Sequence, residues 1–315
     1  MKKYINFFFF IVNHVKFIFI IGLIIYSLTF IVLWFYFPFL FFLLFLMALL
    51  SLVPLKVVYG KLQKIFNIDG IDVYVAKLRY VNAYAIKRSV ILENRILRDY
   101  DIYNYVLYHE IGHAKNYTNW RYVNTLSGIS LVLGLLSENE LAKITKHPYL
   151  YKLHVLFSFL LFYVFVISLF LLFISLNQNY TLTLIVVLFF SLPFIFSFAF
   201  FSNGKSLQTF FFLFMFFLLI SAISEPIPFA FLYLSFYYYL ISRGVEEIMA
   251  DLYSISVEKE ISLNGAVKFL KITPGLSVYA KLIYFIIPFS THPPREVRVW
   301  LMTKRLAKIK NDKNV

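Results

Sequence analysis

Long apolar runs alternate with polar segments along this chain, and the period inside each run changes. From Phe17 to Val53 apolar residues are almost uninterrupted apart from Pro38, which is long enough for two membrane spans with Trp34, Tyr36 and Pro38 at the turn. A single tilted span followed by an interfacial piece fits the same run. The N-terminal Met1-Lys2-Lys3 resembles a secretory signal, but no small-residue cleavage site follows, so an uncleaved anchor is expected. A polar segment from Lys56 to Lys152 follows. Within it Ile71 to Ala76 and Tyr80 to Ile91 alternate, are rich in Val, Ile and Tyr, and predict a small sheet beside the turn signal Asp69-Gly70. The segment Tyr103 to Asn116 places Val106, Leu107 and Ile111 on one stripe and has no proline, which predicts an amphipathic helix. Four apolar stretches come next, at Val155 to Leu176, Thr181 to Phe201, Leu207 to Ile223 and Ile227 to Leu240, before the chain turns polar from Arg243 to Val315.

Composition supports the membrane reading. Apolar residues make up 61% of the 315 positions and charged residues only 15%, outside the range of soluble proteins. Charge then sets orientation. Of the 30 Lys and Arg, 14 fall between residues 56 and 152, 12 between 243 and 315, and three precede Phe17. Basic loops stay in the cytoplasm, so both polar segments are expected there, with the uncharged connection at Asn177 to Tyr180 outside. The net charge of +14 draws the chain toward the anionic lipid bilayer, and the absence of a basic-aromatic module argues against a nucleic-acid partner. The expected organisation is an N-terminal transmembrane hairpin at 1–55, a cytosolic segment at 56–152, about four transmembrane helices at 153–242 and a second cytosolic segment at 243–315.

Chemistry concentrates in the predicted helix. His109-Glu110-Ile111-Gly112-His113 puts two imidazoles four residues apart, hence on one helical face and able to close on one metal ion. Glu110 stands beside them, placed to take a proton from an attacking water. With no cysteine in the chain, only His and carboxylate side chains remain to hold the ion. A catalytic zinc normally takes three protein ligands. The polar C-terminal segment offers Glu246-Glu247 and Asp251, of which Glu247 and Asp251 share a face: Glu247 can bind the ion while Asp251 supports a ligand. A solvated, charged helix end would carry the same residues. His14, His147 and His154 have no neighbour at metal spacing and read as structural or interfacial.

Four short motifs in order now resemble the integral-membrane zinc metallopeptidases of the HtpX and type I CAAX prenyl protease group. They are Val81-Asn82-Ala83-Tyr84-Ala85, the His-Glu-x-x-His run, Glu247 with Ala250-Asp251, and Ser290-Thr291-His292-Pro293-Pro294 followed by Arg298. The resemblance implies a mainly α, multi-pass membrane protein with a small β-sheet in a cytosolic zincin-like (gluzincin) metallopeptidase domain. It implies one zinc ion per chain on His109, His113 and Glu247, the family spacing to Asp251 selecting Glu247 over Glu246. Glu110 would act as general base, Asp251 would orient a histidine ligand, and Arg298 would brace that side. Asn82 and Ala83 would line the substrate cleft, and His292 would stabilise the oxyanion. Read without the motif, His292 before two prolines is a turn residue and Asn82 part of a structural hairpin. Ile86-Lys87 departs from the glycine common after the Asn-Ala strand, and 207–240 exceeds the usual two-span spacer.

The function so implied is zinc-dependent endopeptidase cleavage of protein or peptide substrates at the cytosolic face of the cell membrane, in quality control of membrane proteins. Prenyl-peptide proteolysis, or a membrane sensor or scaffold with a regulatory or inactive peptidase domain, are the competing expectations.

Overall fold

The computed structural model describes residues 15–52, 62–78, 82–86, 88–115, 215–222, 226–272 and 292–312, with single helical positions between 149 and 171. The expected spans at 181–201 and most of 155–176 and 207–223, the histidines at 14, 147 and 154, and Ser290-Thr291 lie outside the described residues. The described chain is mostly helical, with one four-stranded mixed sheet.

Helix α1 (Val15–Tyr36) has no charged residue after Lys16 and is about 33 Å long at 1.5 Å per residue. Its Phe19–Tyr36 stretch is the one helix among the described residues long and apolar enough to cross a membrane. Helix α2 (Pro38–Leu52) follows after Phe37 alone, because Pro38 has no N–H to continue the first ladder and suits a first helical turn. The rings of Phe30 and Phe41 stand 5.7 Å apart. A continuous straight helix would separate these positions by about 16 Å along its axis, so the chain bends here. At about 22 Å, α2 falls short of the roughly 30 Å hydrocarbon core.

The sheet has the order β1-β2-β4-β3. Strands β1 (Gln63–Ile68) and β2 (Ile71–Ala76) form a hairpin closed by Asp69-Gly70, both with positive φ (52° and 78°), the backbone a type I′ turn requires. The stretch Tyr80 to Ile91, expected to join the small sheet, supplies two strands from Ala83 onward. Strands β3 (Ala83–Ile86) and β4 (Ser89–Glu93) pair antiparallel, with the charged Lys87-Arg88 interrupting the apolar alternation between them. Strand β4 also runs parallel to β2, which puts β3 last in the order among the described strands.

The buried side of the sheet, including Val73, Val90 and Leu92, packs on helix α3 (Tyr100–Lys115) through Val106, Leu107 and Ile111, the stripe expected from the sequence. Asp99 caps α3, its Oδ1 accepting from the N–H groups of Asp101 and Ile102 at 3.0 Å each.

The other side of α3 meets α4 (Pro226–Ile272). Pro226 and Pro228 sit in its first turn, where missing N–H groups cost nothing, so they start the helix rather than break it. It runs through residues 242 and 243 without interruption, joining the apolar and polar segments in one rod. At Lys259 (φ 48°, ψ −118°) it kinks sharply, and Ser262 Oγ donates to the Ser254 carbonyl 3.0 Å away, eight residues back. The second half thereby turns across the start of α3, where Gly265 lies against the Asp101 backbone with no room for a side chain. Helix α5 (Arg295–Asn311) completes the core with Met302 and Leu306.

Helix α1 docks on the first half of α4. Thr29 Oγ1 lies 2.6 Å from Ser235 Oγ, and it donates toward the carbonyls of Ile25 and Phe231 at 2.8 and 3.1 Å. Tyr26 and Tyr238 meet edge to face at 5.5 Å.

Candidate metal centre

Three helices converge on one buried cluster. Helix α3 contributes His109 and His113, one turn apart, with their Nε2 atoms 3.2 Å from each other. Helix α4 contributes Glu247, whose Oε2 is 3.5 Å from His109 Nε2 and whose Oε1 is 3.4 Å from His113 Nε2. All three residues are buried, and their ligand atoms lie within 4.8 Å of one another.

Those separations can be tested against a metal. A tetrahedral zinc with bonds of about 2.0–2.1 Å sets its donor atoms roughly 3.3 Å apart. The imidazole pair matches that edge, and each carboxylate oxygen of Glu247 approaches one imidazole at a similar distance. The donor set, two imidazole nitrogens and a carboxylate without sulfur, is also one that zinc takes at catalytic sites. The residues present therefore fit the ion.

Charge balance points the same way. Glu247 and Asp251 bring two buried carboxylates, while Arg298 brings one permanent cation. Burying an unpaired charge is costly, so a second cation is needed. In the metal-free chain His109 supplies it. Burial opposes its protonation, but Asp251 and Glu247 beside it outweigh this and raise its pKa to about 10. For His113 burial prevails and lowers the pKa to about 4, with Glu247 opposing only in part. Burial also works against the charge on Glu247, yet the surrounding imidazoles, led by His292 and His113, hold it well below the usual carboxylate range.

Behind His109 stands a second layer. Its Nδ1 lies 2.9 Å from Asp251 Oδ1, an electrostatic approach rather than an aligned hydrogen bond. Arg298 on α5 grips Asp251 with two donors, Nε to Oδ2 at 2.7 Å and Nη2 to Oδ1 at 2.9 Å. Burial again opposes the Asp251 charge, and Arg298 with His109 overrides it, keeping the carboxyl ionised. Arg298 Nη2 also comes within 3.6 Å of Glu247 Oε2. The guanidinium thus braces both carboxylates.

Other sequence candidates take different places. Glu246, the rival carboxylate, is paired with Arg243 one turn back. His292, 61% exposed, stands at the rim with Nε2 3.6 Å from Glu247 Oε2. Pro293 and Pro294 follow it, leading into α5. Glu110 is half-buried and follows His109 on α3. Asn82 and Ala83 belong to the sheet: the Asn82 carbonyl accepts from the Glu93 N–H at 3.1 Å, and Ala83 pairs with Leu92.

One participant escapes sequence reasoning. Tyr105, fully buried on α3, donates its hydroxyl to Asp251 Oδ1 at 2.8 Å and accepts from Arg298 Nη2 at 3.0 Å. The signal was present, since Tyr105, His109 and His113 recur every fourth residue along one face.

No family model, curated protein or solved structure matches this chain.

Proposed function

We propose that this chain is a membrane-embedded zinc-dependent endopeptidase. It hydrolyses peptide bonds at the cytosolic face of the membrane and takes misfolded membrane proteins as substrates. The observation that carries this reading is the buried group of His109, His113 and Glu247, whose donor atoms lie within 4.8 Å of one another, with Glu110 adjoining it on α3. Placement beside a bilayer is supported by the rod of α4. Ser235, where the apolar α1 docks, precedes Glu247 by twelve residues, about 18 Å along the axis. The apolar stretches between 155 and 240 supply further spans in this reading, and the Lys and Arg bias puts the site in the cytoplasm.

A bound zinc ion would lower the pKa of water toward about 7 and polarise the scissile carbonyl. The remaining work falls to side chains. Glu110 takes the proton of the attacking water as its oxygen bonds to the carbonyl carbon, then returns a proton to the nitrogen as the C–N bond breaks. His292, exposed at the mouth, donates to the developing oxyanion. Asp251 and Arg298 keep His109 turned toward Glu247 and His113. In this reading β3, last in the strand order, receives an extended peptide by main-chain pairing, with Asn82 at its start. Such pairing holds many sequences loosely, as quality control needs.

The deciding experiment uses the detergent-purified chain. Wild-type protein should bind one zinc, cleave casein, lose cleavage to a chelator and regain it with zinc. Glu110→Gln should keep the zinc and lose the cleavage. Undiminished casein cleavage by Glu110→Gln would overturn the assignment.

A further inference from the structure

Asp251 Oδ1 is the atom on which the layer behind His109 converges. It receives the Tyr105 hydroxyl at 2.8 Å and Arg298 Nη2 at 2.9 Å, and it faces His109 Nδ1 at 2.9 Å. Tyr105 and Arg298 are themselves joined, guanidinium to phenol oxygen, at 3.0 Å. The ring of Tyr105 stands 5.6 Å from that of His109, one turn down the same helix. Tyrosine, aspartate and arginine therefore close a three-membered hydrogen-bonded cycle, one residue from each of α3, α4 and α5, with every member buried.

We propose that Tyr105 is a positioning residue for the metal centre. Resting on the zinc reading above, its role is to fix the Asp251 carboxylate so that Oδ1 keeps His109 Nδ1 as the protonated nitrogen. The Nε2 lone pair is then left facing His113 and Glu247. Three features single out the hydroxyl. It reaches Asp251 Oδ1 from the same helix that carries His109, so it ties the carboxylate to the frame of the imidazole pair. It also takes up one of the Arg298 donors, which limits how far the guanidinium can swing toward Glu247, 3.6 Å away. Finally, a buried phenol spends its polar end on a partner or leaves it unsatisfied, and here both its donor and an acceptor position are used.

Tyr105→Phe deletes one oxygen and keeps the ring that packs against Phe269. Zinc affinity of the full-length chain in detergent is measured by competition with a chelator, and the cobalt-substituted visible spectrum reports ligand geometry. Tyr105→Phe should weaken zinc about 10- to 100-fold and alter the cobalt bands, while Tyr108→Phe, a control on the same helix, leaves both unchanged. In an Asp251→Asn background, Tyr105→Phe should cost little further affinity, because the carboxylate it orients is gone. That comparison also decides the matter if the single variant folds poorly. Unchanged affinity and spectrum in Tyr105→Phe, or an equal loss with and without Asp251, would overturn the positioning role while leaving the zinc site intact. A wild-type chain that binds no zinc would instead remove the metal reading itself, and this inference with it.

Discussion

Gly112 faces the backbone of Ala250: a Cβ on the glycine would lie 2.9 Å from the alanine Cα and 3.2 Å from its carbonyl oxygen. The glycine precedes His113 and the alanine precedes Asp251, so this close approach of α3 and the first half of α4 falls in the middle of the candidate metal site. Without that contact the imidazoles and the Glu247 carboxylate could not come within 3.5 Å. Because backbone stands in the way, no side-chain rotation relieves a larger residue. Gly112→Ala should therefore destabilise the chain by about 1–3 kcal/mol and weaken zinc binding at least tenfold. Thermal unfolding and chelator competition read the two effects, and a wild-type zinc affinity would contradict the close-contact argument.

The neighbouring carboxylates should part company. Glu247→Gln should abolish tight zinc binding, since the carboxylate between the two imidazoles is lost. Glu246→Gln should retain one zinc, because Glu246 is engaged with Arg243. Metal content after dialysis distinguishes them, and equal zinc loss in both would mean the wrong glutamate has been assigned.

Arg298 is a structural keystone as much as a functional one. Its removal leaves Asp251 and Glu247 buried with too little positive charge nearby. Arg298→Met should cost about 3–5 kcal/mol in the metal-free chain, the range for breaking a buried ion pair from one side. Denaturant unfolding checks this, and a loss below about 1 kcal/mol would show that the guanidinium is dispensable.

Stability of the metal-free chain should pass through a maximum near pH 6.5. His109, raised to about 10, contributes stability that is complete below its unfolded value of about 6.5 and is lost as pH climbs toward 10. His113, lowered to about 4, works on the other side: between pH 6.5 and 4 the unfolded chain binds its proton more readily, so stability falls with acidification. Unfolding midpoints measured from pH 4 to 10 after chelation would check the shape. Since zinc must displace the His109 proton, metal uptake at pH 7 should also release about one proton per ion, measurable by calorimetry in buffers of different ionisation enthalpy.

Much of the centre could be read along the chain because it is written in helical period. His109 and His113, and again Glu247 and Asp251, announce themselves by four-residue spacing, which backbone hydrogen bonding converts into a shared face. Asp69-Gly70 likewise names its own turn, since few other pairs accept positive φ at both positions. The split of Tyr80 to Ile91 into β3 and β4 was less legible. Apolar residues dominate both segments, and the pairing of β4 with β2 and with β3 is what defines them as separate strands.

What the sequence determined alone is therefore local: the apolar N-terminal helix, the imidazole pair, and the carboxylate pair on its own helix face. Tertiary structure decided which faces meet. Tyr105 reaches Asp251 across 146 positions and Arg298 across 193, and the reversal at Lys259 swings Gly265 against the start of α3. No period along one segment encodes such meetings. They follow from where two helices can approach without a side chain between them, and from the need of every buried charge to find its opposite.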